Sequence, residues 1–204
     1  MASLCEKLIN QCIGADCNKP LFSGVDGVAY IANFADIASV TYDEQNHSII
    51  TGITMKTDTV GSDQVARCFY TVQQLGKNPF EGSQTELVEG TYSNKFTNTV
   101  QLAVADNSAE ITNNVIDQMA NGRFVLITVN DYRNDNSDNK YQIFGIQKGL
   151  RCTAMTREWY GDNDGAYILT LTEENVPKSG LFIYTTSESA TDTMVNGLLC
   201  SCSD

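Results

Sequence analysis

Through most of this chain apolar and polar residues alternate with period two, the spacing of strands that bury one face. Val28–Phe34, Ala38–Tyr42 and Ser48–Met55 read as strands, with the turn-rich "DEQNH" between the last two. "ARCFYTVQQL" (Ala66–Leu75), "QTELVEG" and "SNKFTNTVQLAVA" continue the β character, with Phe96, Val100, Leu102 and Val104 as apolar markers. Farther on, "RFVLITVN" and "KYQIFGI" flank a polar island, Asp131–Asn139. Two β-rich runs of similar length joined by such a segment predict a two-strand unit with the island at its tip. Asp164–Gly165, between "CTAMTREWY" and "AYILTLTE", predicts a second hairpin turn.

One segment has the other period. In "DNSAEITNNVIDQMANG", Ile111, Val115 and Met119 recur every four residues with Ile116 beside them, which predicts an amphipathic helix laid on a sheet. Asn107, three residues before Glu110, stands where a capping box would open it, and Asn121–Gly122 is a fitting stop. A shorter helix is expected over Glu188–Leu199, with Ala190, Met194 and Leu198 at helical spacing, and another over Ser3–Ile13, using Leu4, Leu8 and Cys12.

The chain has 204 residues, long enough to bury a substantial core, and 42% of them are apolar. No apolar run approaches the roughly 20 residues of a spanning helix. The first residues lack a basic stretch, and Glu6, Lys7, Asn10 and Gln11 interrupt their apolar positions, so no cleaved leader and no membrane anchor are expected. Thirteen Lys and Arg against 25 Asp and Glu give a net charge of −12. A chain so acidic is not expected to wrap nucleic acid, which needs clustered cations. It can lie beside nucleic acid without sticking to it.

Candidate chemistry is sparse. Of seven cysteines, Cys12, Cys17, Cys200 and Cys202 could supply four thiolates to zinc, but neither spacing is that of a usual ligand pair. Small buried or idle thiols in a reducing cytoplasm are the expected state. A calcium loop would need oxygen ligands at regular offsets, a sharp glycine and a closing Glu. Asp131, Asp135 and Asp138 lack the last two, and the segment around Asp162 and Asp164 fails the same test, so both loops read as hairpin tips. His47, the one histidine, is expected in an exposed turn. Glu173 and Glu174 are adjacent in a strand and face opposite ways, so they cannot share a site. Trp159 reads as a half-buried edge aromatic, with an interface anchor or a sugar platform as the alternative. No nucleophile elbow, phosphate loop or zinc-protease motif occurs. The expectation is a protein without catalytic residues, metal or cofactor.

From Ser93 to Thr186 the succession "SNKFTNTVQLAVAD", "NSAEITNNVIDQMANG", "RFVLITVN", "KYQIFGIQKGLRCTAMTRE", "DGAYILTLTEENVP" and "GLFIYTT" resembles the tail tube proteins of bacteriophages that infect Bacteroidetes. The resemblance covers about half the chain. It implies a mainly β fold, a β-sandwich or small β-barrel with a flanking helix and short terminal helices. One domain would span 1–204, with an N-terminal arm (1–22) and a C-terminal arm (185–204). It further implies a virion subunit, a homo-oligomer of stacked hexameric rings whose sheets join into a β-lined channel. Such a subunit would be made in the host cytoplasm, meet other tail proteins, and let DNA pass without binding it. Polar strand positions (Thr97, Thr99 and Gln101; Thr170 and Thr172) suit a face wetted by a lumen, and the net charge suits a wall that repels phosphate. Subunit contacts are expected from the ends of the chain, through Leu4, Leu8, Met194 and Leu198, and from the Gly76–Gly90 connection, through Phe80 and Leu87. Another tail or connector protein, a bacterial β-sandwich binding module and an unrecognised enzyme stand as the alternatives.

Overall fold

The structure, a computed structural model, describes residues 25–60, 63–73, 80–105, 108–130, 137–157 and 165–200. In the first half these residues form the strands β1 (Val25–Asn33), β2 (Ile37–Tyr42), β3 (Ile49–Met55), β4 (Thr57–Val60), β5 (Asp63–Ala66), β6 (Tyr70–Gln73) and β7 (Phe80–Val88). The second half adds β8 (Lys95–Val104), β9 (Phe124–Asn130), β10 (Tyr141–Phe144), β11 (Arg151–Arg157), β12 (Tyr167–Val176) and β13 (Leu181–Ile183). A seven-stranded sheet runs β2-β3-β13-β10-β9-β1-β6, a four-stranded sheet runs β11-β12-β8-β7, and β4 and β5 pair as a separate ribbon. The protein is mainly β, built as two packed sheets without a closed barrel.

The apolar run in β9 has a simple cause. Every residue from Phe124 to Val129 is buried, because both faces of the large sheet are covered there. Leu126, with Ala29 and Phe144, packs against Val100, Leu102, Leu169 and Leu171 of the four-stranded sheet. Val125, Ile127 and Val129 point the other way, into a cluster with Ile50, Ile143, Ile183 and the helix residue Val195. β9 and β10 pair antiparallel, as the two runs around the polar island predict. Among the described residues the four-stranded sheet is covered on one side alone, so β8 and β12 alternate as the pattern predicts, with Val100, Leu102, Leu169 and Leu171 inward.

The predicted helix forms over Ala109–Ile111, Thr112–Ile116 and Asp117–Met119, but its middle segment is a π turn. The wider turn inserts a residue into the period and rotates the buried face by one position. Ile116 and Met119 are therefore buried, whereas Ile111 and Val115 are half-buried at the rim of the same cluster. Its N-cap is Ser108, whose hydroxyl accepts from the Ile111 amide, and not the expected Asn107. Gly122 is required after it: a Cβ there would lie 2.2 Å from the Phe124 ring.

A second helix, Glu188–Asn196, is capped by Ser187 and docks on the far face of the large sheet. Lys140, at the start of β10, fastens it. Its buried ammonium pairs with Glu188 at 3.0 Å and with Asp192 at 2.5 Å. Tyr141 donates to Asp192 and Ser137 to Glu188, so both helix carboxylates are bonded on two sides. The expectation of idle thiols fails for two cysteines: Cys68 and Cys200 form a disulfide that spans 132 residues of sequence. Flanking backbone bonds, from Phe69 to the Leu198 carbonyl and from Cys200 to the Phe69 carbonyl, bring these distant segments side by side around the buried Phe69 ring. β11 and β12 pair antiparallel, as the hairpin expectation has it, and Asp164 of the expected turn lies outside the described residues. Gly165 itself has the left-handed backbone (φ 82°) that suits glycine.

Candidate functional site

Two features of the four-stranded sheet stand out, an open edge and a cationic cleft. The edge is β7. It pairs with β8 through an unbroken register from Gly82 to Val88, and residues 82–90 are all exposed. Its outward backbone groups meet no strand among the described residues. Leu87 is 62% exposed there, and β7 carries no proline or lysine to blunt the edge. The segment expected as a long connection, Gly76–Gly90, is thus largely strand.

The uncovered face of this sheet is made of hydroxyls and amides. Gln84, Thr99, Thr172 and Arg151 share one row across it, and Gln101, Thr170 and Ala154 the next. Thr172 shares hydrogen bonds with Thr153 (3.0 Å) and Thr99 (3.5 Å), which ties three strands together on this side. Its charges nearly balance: Glu86 and Glu174 against Lys95 and Arg151. The overall negative charge of the chain is not concentrated here.

At one end of this face lies a polar cleft of about 580 Å³, lined by Arg123, Lys148, Arg151, Thr153, Thr172 and Glu174, with Phe34, Gln147, Gly149, Cys152 and Asn175. Three cations thus face one carboxylate. Lys148 donates to the Glu174 and Asn175 carbonyls. The Arg123 carbonyl accepts from the Phe34 amide, but the guanidinium groups of Arg123 and Arg151 have no hydrogen-bond or ion-pair partner among the described residues. The stem of Arg123 lies against Gly149, where a Cβ would approach the arginine's own Cβ to 2.9 Å and where φ is 83°. Burial pushes the Cys152 thiol up from its ordinary value, so at neutral pH it is a protonated, weak nucleophile.

Glu173 fixes the turn that presents these cations. Its side chain is 1% exposed and accepts from the amides of Lys148 (2.6 Å), Gln147 (3.0 Å) and Gly145 (3.3 Å). Such a nest of backbone N–H groups is a strong carboxylate site. Its negative charge also adds to the effect of burial in raising the Tyr42 phenol above its ordinary range. Glu173→Ala is expected to cost about 3 kcal/mol in urea unfolding, because several buried amides lose a charged acceptor together. Glu174→Ala, one residue away on the exposed face, should cost less than about 0.5 kcal/mol.

The other residues singled out from the sequence fall as follows. Met194 and Leu198 pack into the chain's own core against the large sheet, Leu198 at 9% exposure. Leu87 is exposed on the open edge. Phe80 opens β7 opposite Leu102, and its side chain lies outside what is described, as do Leu4, Leu8, Cys5, Cys12, Cys17, Cys202, Trp159, Asp131 and Asp135. With Cys200 in a disulfide, the four-thiolate zinc arrangement is lost. His47 sits exposed in the β2–β3 turn, where its carbonyl accepts from Lys178. Burial holds the Lys178 ammonium below the usual lysine range. Among the described residues no three His, Cys, Asp or Glu side chains cluster as metal ligands, and no helix is long and apolar enough to cross a membrane. A chelator is expected to leave the melting temperature unchanged, since no metal binding would be linked to folding. A calcium-dependent rise that disappears when Asp131, Asp135 and Asp138 become Asn would overturn that.

The open edge and the cleft both lack a sequence signature. β7 is exposed on both sides, so its residues do not alternate. The cleft cations come from two separate segments, Arg123 before β9 and Lys148 with Arg151 around the start of β11, and only the turn glycines Gly145 and Gly149 hint that the chain folds back there. Comparison with protein families, with curated proteins and with solved structures finds no match to this chain.

Proposed function

We propose that this protein is a structural subunit that joins copies of itself through sheet edges into stacked hexameric rings, as the tail tube of a bacteriophage. The observation that carries this reading is β7, a strand edge that is regular from Gly82 to Val88 and pairs outward with no strand among the described residues. An isolated chain risks aggregation through such an edge, whereas a ring converts it into a joint and closed symmetry removes the liability. The number six and the stacking come from the resemblance of Ser93–Thr186 to tail tube proteins. The hydroxyl and amide face of the four-stranded sheet suits a wetted channel wall, because neutral polar groups offer phosphate little to hold. The acidic wall expected from net charge is replaced in this reading by a nearly neutral one.

The subunit is non-enzymatic in this reading, and it is a virion component made in the host cytoplasm. Electron microscopy of the purified protein should show annular particles and, at higher concentration, tubes. Duplex DNA should show no appreciable retention at physiological salt. Protein that stays monomeric at high concentration with its tail partners present would sink the tube reading.

A further inference from the structure

We propose that the cleft of Arg123, Lys148 and Arg151 is the socket of the joint between copies, and that Glu86 of a neighbouring copy is its plug, with Glu89, just past the end of β7, adding to the negative charge of that edge. The inference rests on the reading above, that copies join through the edges of the four-stranded sheet. It goes further in naming which edges meet and what selects them.

The two edges of that sheet carry opposite charge. Between Phe80 and Glu89 the chain has three glutamates and no Lys or Arg, whereas β11 has Arg151 and Arg157 and no acid. Neighbouring strands are antiparallel throughout, in the order β11-β12-β8-β7, so the two edges run in opposite directions. When copies are set side by side in the same orientation, β7 of one therefore meets β11 of the next as another antiparallel pair. The register brings the charges to the same level. Arg151 pairs with Thr172, Thr172 with Thr99 and Thr99 with Gln84, so Glu86, two residues beyond Gln84, lies at the Arg151 end of the sheet. Directly paired residues share a face, and so do residues two apart in a strand, which places Glu86 on the face to which the cleft opens.

Neither guanidinium has a partner among the described residues, and a carboxylate is what a guanidinium recognises best. The contact is heterologous, acidic edge to basic edge. It allows a ring and disfavours two copies meeting through the same edge, where like charges would face each other. It would also neutralise the cationic cleft in the assembled wall, leaving passing DNA no cationic patch there to hold it.

The test uses two charge-reversal variants of the full chain. One is Glu86→Lys with Glu89→Lys, and the other is Arg123→Glu with Arg151→Glu. All four positions are exposed, and unchanged circular dichroism and melting temperature would establish that each variant folds. Each variant alone is expected to elute as monomer where the unaltered protein forms rings. An equimolar mixture should recover rings of alternating copies, since one joint would keep the native charges and the next would carry them exchanged. Variants that assemble alone, or a folded mixture that stays monomeric, would overturn the socket while leaving ring formation by the unaltered protein in place. An unaltered protein that forms no ring would defeat both readings. Retention by inorganic phosphate of the monomer, with assembly untouched by either variant, would reassign the cleft as a small-anion site.

Discussion

Ile116→Asp is expected to leave the chain unfolded, while Val115→Asp gives a folded and only mildly weakened protein. Ile116 is 3% exposed, in a cluster with Met119, Phe124, Leu126 and Leu169. A carboxylate there would be shut off from solvent among apolar side chains. Burying it unpaired costs several kcal/mol, on top of the lost apolar contacts. A domain of this size has about 5–15 kcal/mol of stability in total, so the variant should collect as insoluble protein or show no cooperative melting. Val115 lies one position away at the groove rim beside Tyr70, where an acid can turn to solvent. Its cost should stay below about 2 kcal/mol. Without the π turn the order would invert, since a regular helix through Ile111, Val115 and Met119 would bury Val115 deepest. The pair of melting curves therefore reads the helix geometry directly. A folded Ile116→Asp beside an unfolded Val115→Asp would refute the turn.

That helix also illustrates how much of the fold could be read from sequence. Its position and apolar face follow from spacing, because helices and strands that bury one side leave a period behind. β9 and β10 were legible for a related reason: short runs rich in β-branched and aromatic residues on either side of a polar island fit two paired strands. The rest depends on contacts between distant segments. A π turn has no residue code, so the rotation of the buried face was hidden. The β4–β5 ribbon has exposed apolar positions such as Val65 and an ion pair, Arg67 with Asp58, where a core strand would have alternation. Glu173 and Glu174 could be assigned to opposite faces by the pleat alone. That the inward one would find backbone amides could not be foreseen, since those amides belong to a turn about 25 residues earlier in the chain. The cleft was hidden by averaging. A net charge of −12 describes the whole molecule, whereas Arg123, Lys148 and Arg151 converge only after the two sheets have packed.

Reduction of the Cys68–Cys200 bond is expected to lower the melting temperature by roughly 10 °C. The bond closes a loop across a sequence separation of 132 residues. In the chain-entropy description, opening a loop of that length frees unfolded-state entropy worth up to about 5 kcal/mol, and measured disulfides mostly contribute about 2–4. For a chain of this size each kcal/mol corresponds to about 2–4 °C. Local structure sharpens the expectation. Phe69, fully buried between the two cysteine-bearing segments, is held by backbone bonds to Leu198 and Cys200, so the cross-link protects a segment that closes one side of the core. Cys68→Ser with Cys200→Ser should melt near the reduced protein and lose the sensitivity to reductant that this bond confers. Cys152→Ser should keep that sensitivity, because Cys152 is a free thiol. A melting curve indifferent to reductant in the unaltered protein would refute the cross-link. A titration of melting temperature against thiol–disulfide buffer would then locate the potential at which the bond closes.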